Sequence, residues 1–182
     1  MTTEGVARLR LGRLLVPGAV AVAVTAIPLQ ALRDRGIRAL IIDLDNTLTC
    51  WNDVDCAPAV AAWLGQVRAA GVGVCIVSNN GPERVRAFCA ALGTDIPWIA
   101  NAGKPSRRAY RAAGARLGAE PAEVAVVGDQ VFTDIFGGNR AGHLTILVTP
   151  LSRREFPTTR LVRIVEGLWL QWLRARGALL PL

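Results

Sequence analysis

Two carboxylates, Asp43 and Asp45, follow the apolar run Arg38-Ala39-Leu40-Ile41-Ile42. Polar groups end other apolar runs in the same way. Ser78 and Asn79 follow residues 72–77, and Asp129 follows residues 123–127, with Asp134 close behind. Lys104 stands before Pro105 at the head of a helix-like stretch. One carboxylate ending a buried strand is unremarkable. Carboxylate, hydroxyl, amine and carboxylate at successive ends are harder to attribute to solubility alone. The chemistry they suit is phosphoryl transfer. A carboxylate can attack phosphorus to give an aspartyl-phosphate, dividing one difficult step into two easier ones. Nucleophile and phosphate are both anions, so a hard cation is needed, and Mg²⁺ takes one or two carboxylates with phosphate oxygen and water. Ser78 and the adjacent backbone N–H groups can hold phosphate oxygens, aided by the helix beginning after Gly81-Pro82. Lys104 adds positive charge where the transition state spreads negative charge.

The elements that must position these groups alternate along the chain. Strand-like runs cover residues 38–43, 72–77, 98–100, 123–127 and 144–148. Helical spacing covers residues 57–70, 82–92, 105–117 and 133–140, with Pro58 in a first turn and Gly71 and Gly93 as stops. This rhythm predicts an α/β fold, a doubly wound parallel sheet with helices on both faces. Ligands of such sheets bind outside the carboxyl ends of the strands. That is where the polar groups collect.

Four segments carry a family resemblance: Asp43-Leu-Asp-Asn-Thr-Leu48, Ser78, Lys104-Pro105 and Gly128-Asp-Gln-Val-Phe-Thr-Asp134. In this order they resemble the four motifs of the haloacid dehalogenase (HAD) superfamily. Val77-Ser-Asn-Asn80, Gly138-Asn-Arg-Ala-Gly142, Pro150-Leu151 and Arg154-Glu155-Phe156 are similar, more narrowly, to the YqeG-like HAD-IIIA phosphatases. The resemblance implies a HAD-like Rossmannoid core with Mg²⁺ as cofactor. It makes Asp43 the nucleophile and a metal ligand, and Asp45 the general acid/base with its backbone carbonyl on the metal. Ser78, with Asn79, would bind substrate phosphate, and Lys104 would neutralise the phosphoryl group. Asp129 would be the third protein ligand, with Asp134 in the metal's outer shell. Asp45 sets the reaction class, because the family's phosphatases have Asp two places after the nucleophile where its ATPases have Thr. An acid there can protonate the leaving alkoxide and then deprotonate the hydrolytic water. Neither the interval from Asp43 to Ser78 nor that from Ser78 to Lys104 has room for a cap domain. The site is therefore expected to be open and to admit a phosphate displayed on something large.

Similar eukaryotic proteins are phosphatidylglycerophosphate phosphatases, which implies a phospholipid headgroup as substrate. A small soluble phosphomonoester is the alternative. A third reading, from another class, is a basic nucleic-acid- or ribosome-associated factor. It is the least supported, because no RNA-binding motif or aromatic stacking platform is visible. The chain has 182 residues and a formal charge of +7, which favours anionic partners. With 52% hydrophobic and 19% charged residues it is not a disordered chain.

Three regions are expected. Residues 1–35 form an N-terminal apolar extension packing on the core or a membrane surface, 36–156 the phosphatase core, and 157–182 an amphipathic helix. Arg8, Arg10 and Arg13 before the apolar residues 14–29 resemble a signal peptide, but Pro17-Gly18 and Pro28 interrupt the run. A folded or interfacial segment is the expectation, since a spanning helix needs roughly 20 apolar residues. The last helix carries Leu161, Ile164, Val165, Leu168, Trp169, Trp172 and Leu173, flanked by Arg160, Arg163, Arg174 and Arg176. Two readings are open: its apolar stripe packs on the sheet, or it meets a membrane surface. Cys50, Cys56, Cys75 and Cys89 have no metal-ligand spacing, which suits a reducing cytoplasm, with the inner membrane face as the place of any peripheral contact. His143 reads as a surface or turn residue, and Trp51 as a loop residue beside the site.

Overall fold

The computed structural model describes residues 12–152 and 157–182, and of residues 157–160 the backbone alone. Arg8, Arg10 and the Arg154-Glu155-Phe156 segment lie outside the described residues, as does the Arg160 side chain.

Six strands form one sheet: β1 (Ala19–Ala21), β2 (Ala39–Ile42), β3 (Gly73–Val77), β4 (Trp98–Ile99), β5 (Val124–Gly128) and β6 (Leu144–Val148). Their spatial order is β1-β6-β5-β2-β3-β4, and every ladder is parallel. The central strands are apolar throughout because both faces are covered. Alternate residues serve opposite faces. Leu40, Ile42, Val74, Ile76 and Val127 pack in one core with α1 (Leu29–Asp34), α2 (Pro58–Ala69) and α3 (Pro82–Leu92). Ile41, Cys75, Val77 and Val126 pack in the other with α4 (Arg107–Arg116) and α5 (Phe136–Ala141). The sheet is thus doubly wound, with β2 and β5 at its centre, and among the described residues there is no cap domain.

The N-terminal apolar residues are woven into this sheet. β1 pairs with β6 at the edge, and Asn139 Nδ2 donates to the carbonyls of Leu14 and Val16 at 2.8 and 2.9 Å. Trp63 Nε1 donates to Ile27 O at 3.3 Å. The far side of β1 is held by the last residues, with Val20 N on Leu180 O at 2.9 Å and Leu182 N on Val20 O at 3.2 Å. Among the described residues no helix is long and apolar enough to cross a membrane.

The last helix, α6 (Pro157–Ala175), sits differently from the sheet-packing reading. Of its expected apolar stripe, Leu173 is buried and Trp169 packs beside Val131, Ile135 and Leu147. Leu161, Ile164, Val165, Leu168 and Trp172 are exposed. Glu166 is buried instead, at 2% exposure, with Arg163 beside it. The polar side turns inward because it has buried polar partners there, described below. His143 also departs from expectation. It follows the left-handed turn at Gly142 (φ 86°) but is buried, with Nδ1 3.0 Å from Pro121 O, and burial lowers its pKa. Cys75 and Cys89 are buried, and all four cysteines are free.

Candidate active site

The carboxyl ends of β2, β3 and β5 and the turn before α4 open into one cleft of about 610 Å³. Asp43, Asp45, Asn46, Trp51, Ser78 and Lys104 are among its lining residues, and Phe132, Phe136 and Val162 give it an apolar side.

Asp43 continues the sheet ladder one residue past β2, its N–H donating to Val127 O at 2.9 Å. The backbone then coils tightly, with Leu48 N on Leu44 O at 2.9 Å, while Leu44 and Leu48 anchor the coil in the core. Asn46 takes a left-handed conformation (φ 62°), which Asn tolerates better than most residues. Its carbonyl accepts from Leu151 N at 3.0 Å, tying the coil to the loop after β6. Asp45 lines the same cleft and is held by the turn after β3 and by α3. Its carboxylate accepts from Asn80 Nδ2 at 2.6 Å and from Arg84 Nη2 at 2.9 Å.

Asp43, Asp129 and Asp134 offer oxygens that all lie within 4.8 Å of one another. An all-oxygen carboxylate set of this size fits a hard cation such as Mg²⁺. The Asp45 carboxylate is not in that cluster. Lys104 Nζ bridges two of its members, at 2.5 Å from Asp43 Oδ1 and 2.7 Å from Asp134 Oδ1. Like charges held this close in a buried site need such compensation. Burial raises the Asp43 carboxyl to about 6 against the pull of Lys104, and Asp134 adds to the rise. Burial, then Asp43, raises Asp129 to about 8, with Arg163 opposing. Burial works against the charge on Lys104, yet Asp134 and Asp43 outweigh it and hold the amine well above its ordinary value.

Asp134 approaches Gly128 so closely that a Cβ there would lie 2.3 Å from its Cγ. It rides on a wide turn, Val131–Ile135, in which Ile135 N reaches back to Gln130 O. Tyr110 of α4 fixes that turn by donating its hydroxyl to Thr133 O at 2.9 Å. Ser78 Oγ accepts from Asn80 N at 3.1 Å, forming the short turn that leads to α3. Asn79 lines the cleft, and its amide clamps the backbone of Lys104: Oδ1 accepts from Lys104 N at 2.7 Å and Nδ2 donates to Lys104 O at 3.3 Å. Trp51 lines the cleft on the side of the Asp45 coil.

Of the seven residues singled out in the sequence, Asp43, Asp45, Ser78, Asn79 and Lys104 line the cleft, and Asp129 and Asp134 join it through their carboxylate cluster with Asp43. Three further polar residues, not singled out for the site, also join it. Arg84 and Asn80 hold Asp45, and Arg163 on α6 pairs with the Asp129 carboxylate. Asn80 was visible as the second asparagine after Ser78. Arg84 and Arg163 carried no signal, because one arginine among many on a helix surface looks like any other.

The sequence matches the family model of haloacid dehalogenase-like hydrolases over residues 51–142, and that of mitochondrial PGP phosphatases over residues 4–86. It is 38% identical to the probable phosphatase YqeG of Bacillus subtilis, across 81% of this chain and 85% of that protein. It is 30% identical to the chloroplastic/mitochondrial phosphatidylglycerophosphate phosphatase 1 of Arabidopsis thaliana, across 80% of this chain but only 44% of that protein. A HAD family hydrolase of Deinococcus radiodurans has the same fold. Its TM-score is 0.56 at 18% identity, covering 82% of this chain and all of that one. Acidic and hydroxyl groups at three strand ends with an amine from the turn before α4, a matching family model over half the chain and a relative 38% identical across 85% of its length agree: the chain belongs to the haloacid dehalogenase-like hydrolases, as a phosphatase related to YqeG and the phosphatidylglycerophosphate phosphatases.

Proposed function

We propose that the chain is a magnesium-dependent phosphomonoester hydrolase working through an aspartyl-phosphate on Asp43. The observation that carries this reading is the pairing of roles in the cleft. Asp43 stands with Asp129, Asp134 and Lys104, while Asp45 is held apart from that cluster by Arg84 and Asn80. In the first step an Asp43 oxygen forms a bond to phosphorus as the ester P–O bond breaks, and Asp45 gives its proton to the departing alkoxide. In the second, Asp45 takes a proton from water, whose oxygen attacks phosphorus; the acyl-phosphate P–O bond breaks and the Asp43 carboxylate returns. Ser78 and the turn to Asn80 receive phosphate oxygens, and Lys104 offsets their charge. Asp43, Asp129 and the Asp45 carbonyl would hold Mg²⁺, with Asp134 supporting them, and the cation would supply charge opposite the phosphoryl oxygens.

For the substrate, the favoured class is a phosphate on a lipid headgroup, phosphatidylglycerophosphate or a similar one. Three observations support it. Two curated relatives are named phosphatidylglycerophosphate phosphatases, although the chain spans only 44% and 61% of their lengths. The cleft is uncapped and has an apolar side of Phe132, Phe136 and Val162. Beside it α6 exposes Leu161, Ile164, Val165, Leu168 and Trp172, with Arg176 stacked on Trp172, a combination that suits an anionic membrane surface. The place of action would then be the cytoplasmic face of the membrane.

The test is phosphate release by purified protein from phosphatidylglycerophosphate vesicles and from soluble esters, with Mg²⁺ and with chelator. Asp43→Asn abolishes release from every accepted substrate, and turnover in that variant would sink the covalent mechanism. Turnover of soluble esters alone would overturn the lipid reading and leave the chemistry standing.

A further inference from the structure

Lys104 serves Asp43 and Asp134, whereas Asp129 draws its cationic partner from α6. The Asp129 side chain has no exposed surface, and a carboxylate so placed needs a charged or donor partner. Arg163 Nη2 is paired with Asp129 Oδ2, and Arg163 Nη1 donates to Asp129 O at 2.5 Å. Thr47 Oγ1, at 3.3 Å, is on the other carboxylate oxygen, Oδ1. Arg163 is in turn braced by Glu166, with Nη1 3.2 Å from Oε2, and Glu166 Oε1 accepts from Phe132 N at 2.9 Å. The result is a closed ring from Asp129 through Arg163 and Glu166 back to Phe132. It grips both ends of the segment that carries Asp129 and leads into the Asp134 turn.

We propose that Arg163, braced by Glu166, is a positioning residue for Asp129, so that α6 completes the cation site from outside the sheet. The guanidinium occupies one carboxylate oxygen and fixes the torsion of the side chain, which leaves Asp129 a single preset oxygen for a cation. A guanidinium is suited to this because its planar fork reaches the carboxylate and the backbone carbonyl of the same residue together. An ammonium would supply the charge without the fork. The inward turn of the polar side of α6 follows from the same need. The inference rests on the proposed cation site.

The experiment is calorimetric titration of Mg²⁺, and separately Mn²⁺, into the chelator-stripped full chain and its Arg163→Ala, Arg163→Lys and Glu166→Gln variants. Steady-state kinetics on an accepted ester run in parallel. Cation dissociation constants rise about tenfold or more in Arg163→Ala and at least about threefold in Arg163→Lys. The apparent Mg²⁺ requirement rises in step, and the substrate KM at saturating Mg²⁺ is little changed. If Arg163→Ala does not fold, Arg163→Lys and Glu166→Gln decide. Cation affinity equal to the parent's in those two variants overturns the inference while leaving the cation site intact. Tighter binding in any Arg163 variant also overturns it, since the guanidinium would then be competing with the cation. Absence of binding to the parent chain overturns the cation site and this inference with it.

Discussion

Replacing Gly128 by alanine adds one methyl group to the floor of the site. The backbone there is not left-handed, so the demand is for space. The new Cβ would lie 2.3 Å from Asp134 Cγ and 2.5 Å from its Cβ and Oδ2, where ordinary contact begins near 3.4 Å. Asp134 must therefore retreat by roughly an ångström, and the closed core leaves it no free direction. Overpacking of this kind costs about 1–3 kcal/mol. The retreat also strains the bond from Lys104 Nζ at 2.7 Å and that from Gln130 N at 3.2 Å. Breaking a buried pair costs about 3–5 kcal/mol, and Lys104 keeps Asp43 as a partner, so a total near 3–5 kcal/mol is expected. That lies within the stability of an ordinary domain, and the variant stays folded at 25 °C. Displacing a charged group at the reacting centre by that distance costs on the order of 10²-fold in turnover. Gly138→Ala is the control: its Cβ meets Thr145 Cγ2 at 2.7 Å and Val126 Cβ at 3.0 Å, away from the cleft. It should lose about 1–3 kcal/mol and keep its turnover. Urea unfolding and Mg²⁺-dependent ester hydrolysis would be measured for both. Gly128→Ala with turnover within about threefold of the parent would refute the placement of Asp134 argued above.

Arg84→Ala removes one of the two groups holding Asp45, and kcat should fall about tenfold with KM little changed, part of the 10²–10⁴ that general acid/base catalysis contributes. Arg84→Lys should recover some of it, and a change confined to KM would count against the assignment. The cation-free protein should lose stability as pH rises. Asp43 and Asp129 have raised values, about 6 and about 8 against an ordinary 3.8, so from about pH 4 to 8 the native state binds more protons than the unfolded chain. The slope is at most about 1.4 kcal/mol per pH unit for each group, and excess Mg²⁺ should flatten it by replacing the protons. Urea midpoints at pH 5 and pH 8 with chelator check this, and a midpoint that rises with pH contradicts it.

Strand ends were the legible part of this protein. Asp43, Ser78 and Asp129 could be placed because each ends a continuous apolar run, which marks a buried parallel strand and so the ligand-binding edge. Lys104 follows no long strand, since β4 has two residues; it was placed by its position at the head of a helix-like stretch, and the family resemblance added its role. β1 was not legible. Three small residues after Pro17-Gly18 carry no strand signal of their own and are strand only because β6 and the last residues pair with them. Residues 133–135 of the turn Val131–Ile135 were read as the start of an ordinary helix because the distinction lies in which carbonyl a backbone N–H selects, not in periodicity. The orientation of α6 stayed open in the sequence for a related reason. Its period shows which residues share a face, but the choice of face went to the buried Asp129 and Phe132 N–H, partners more than thirty residues away.

The pairing of β1 also sets a timetable for synthesis. Its Val20 needs Leu147 on one side and Leu180 and Leu182 on the other, all made well over a hundred residues later. At 5–20 residues per second, that strand leaves the ribosome on the order of ten seconds before its second edge can close. During that interval an apolar segment with unpaired backbone groups on both sides is on offer to whatever it meets first. The segment that resembles an export signal is the one that waits longest for its partners.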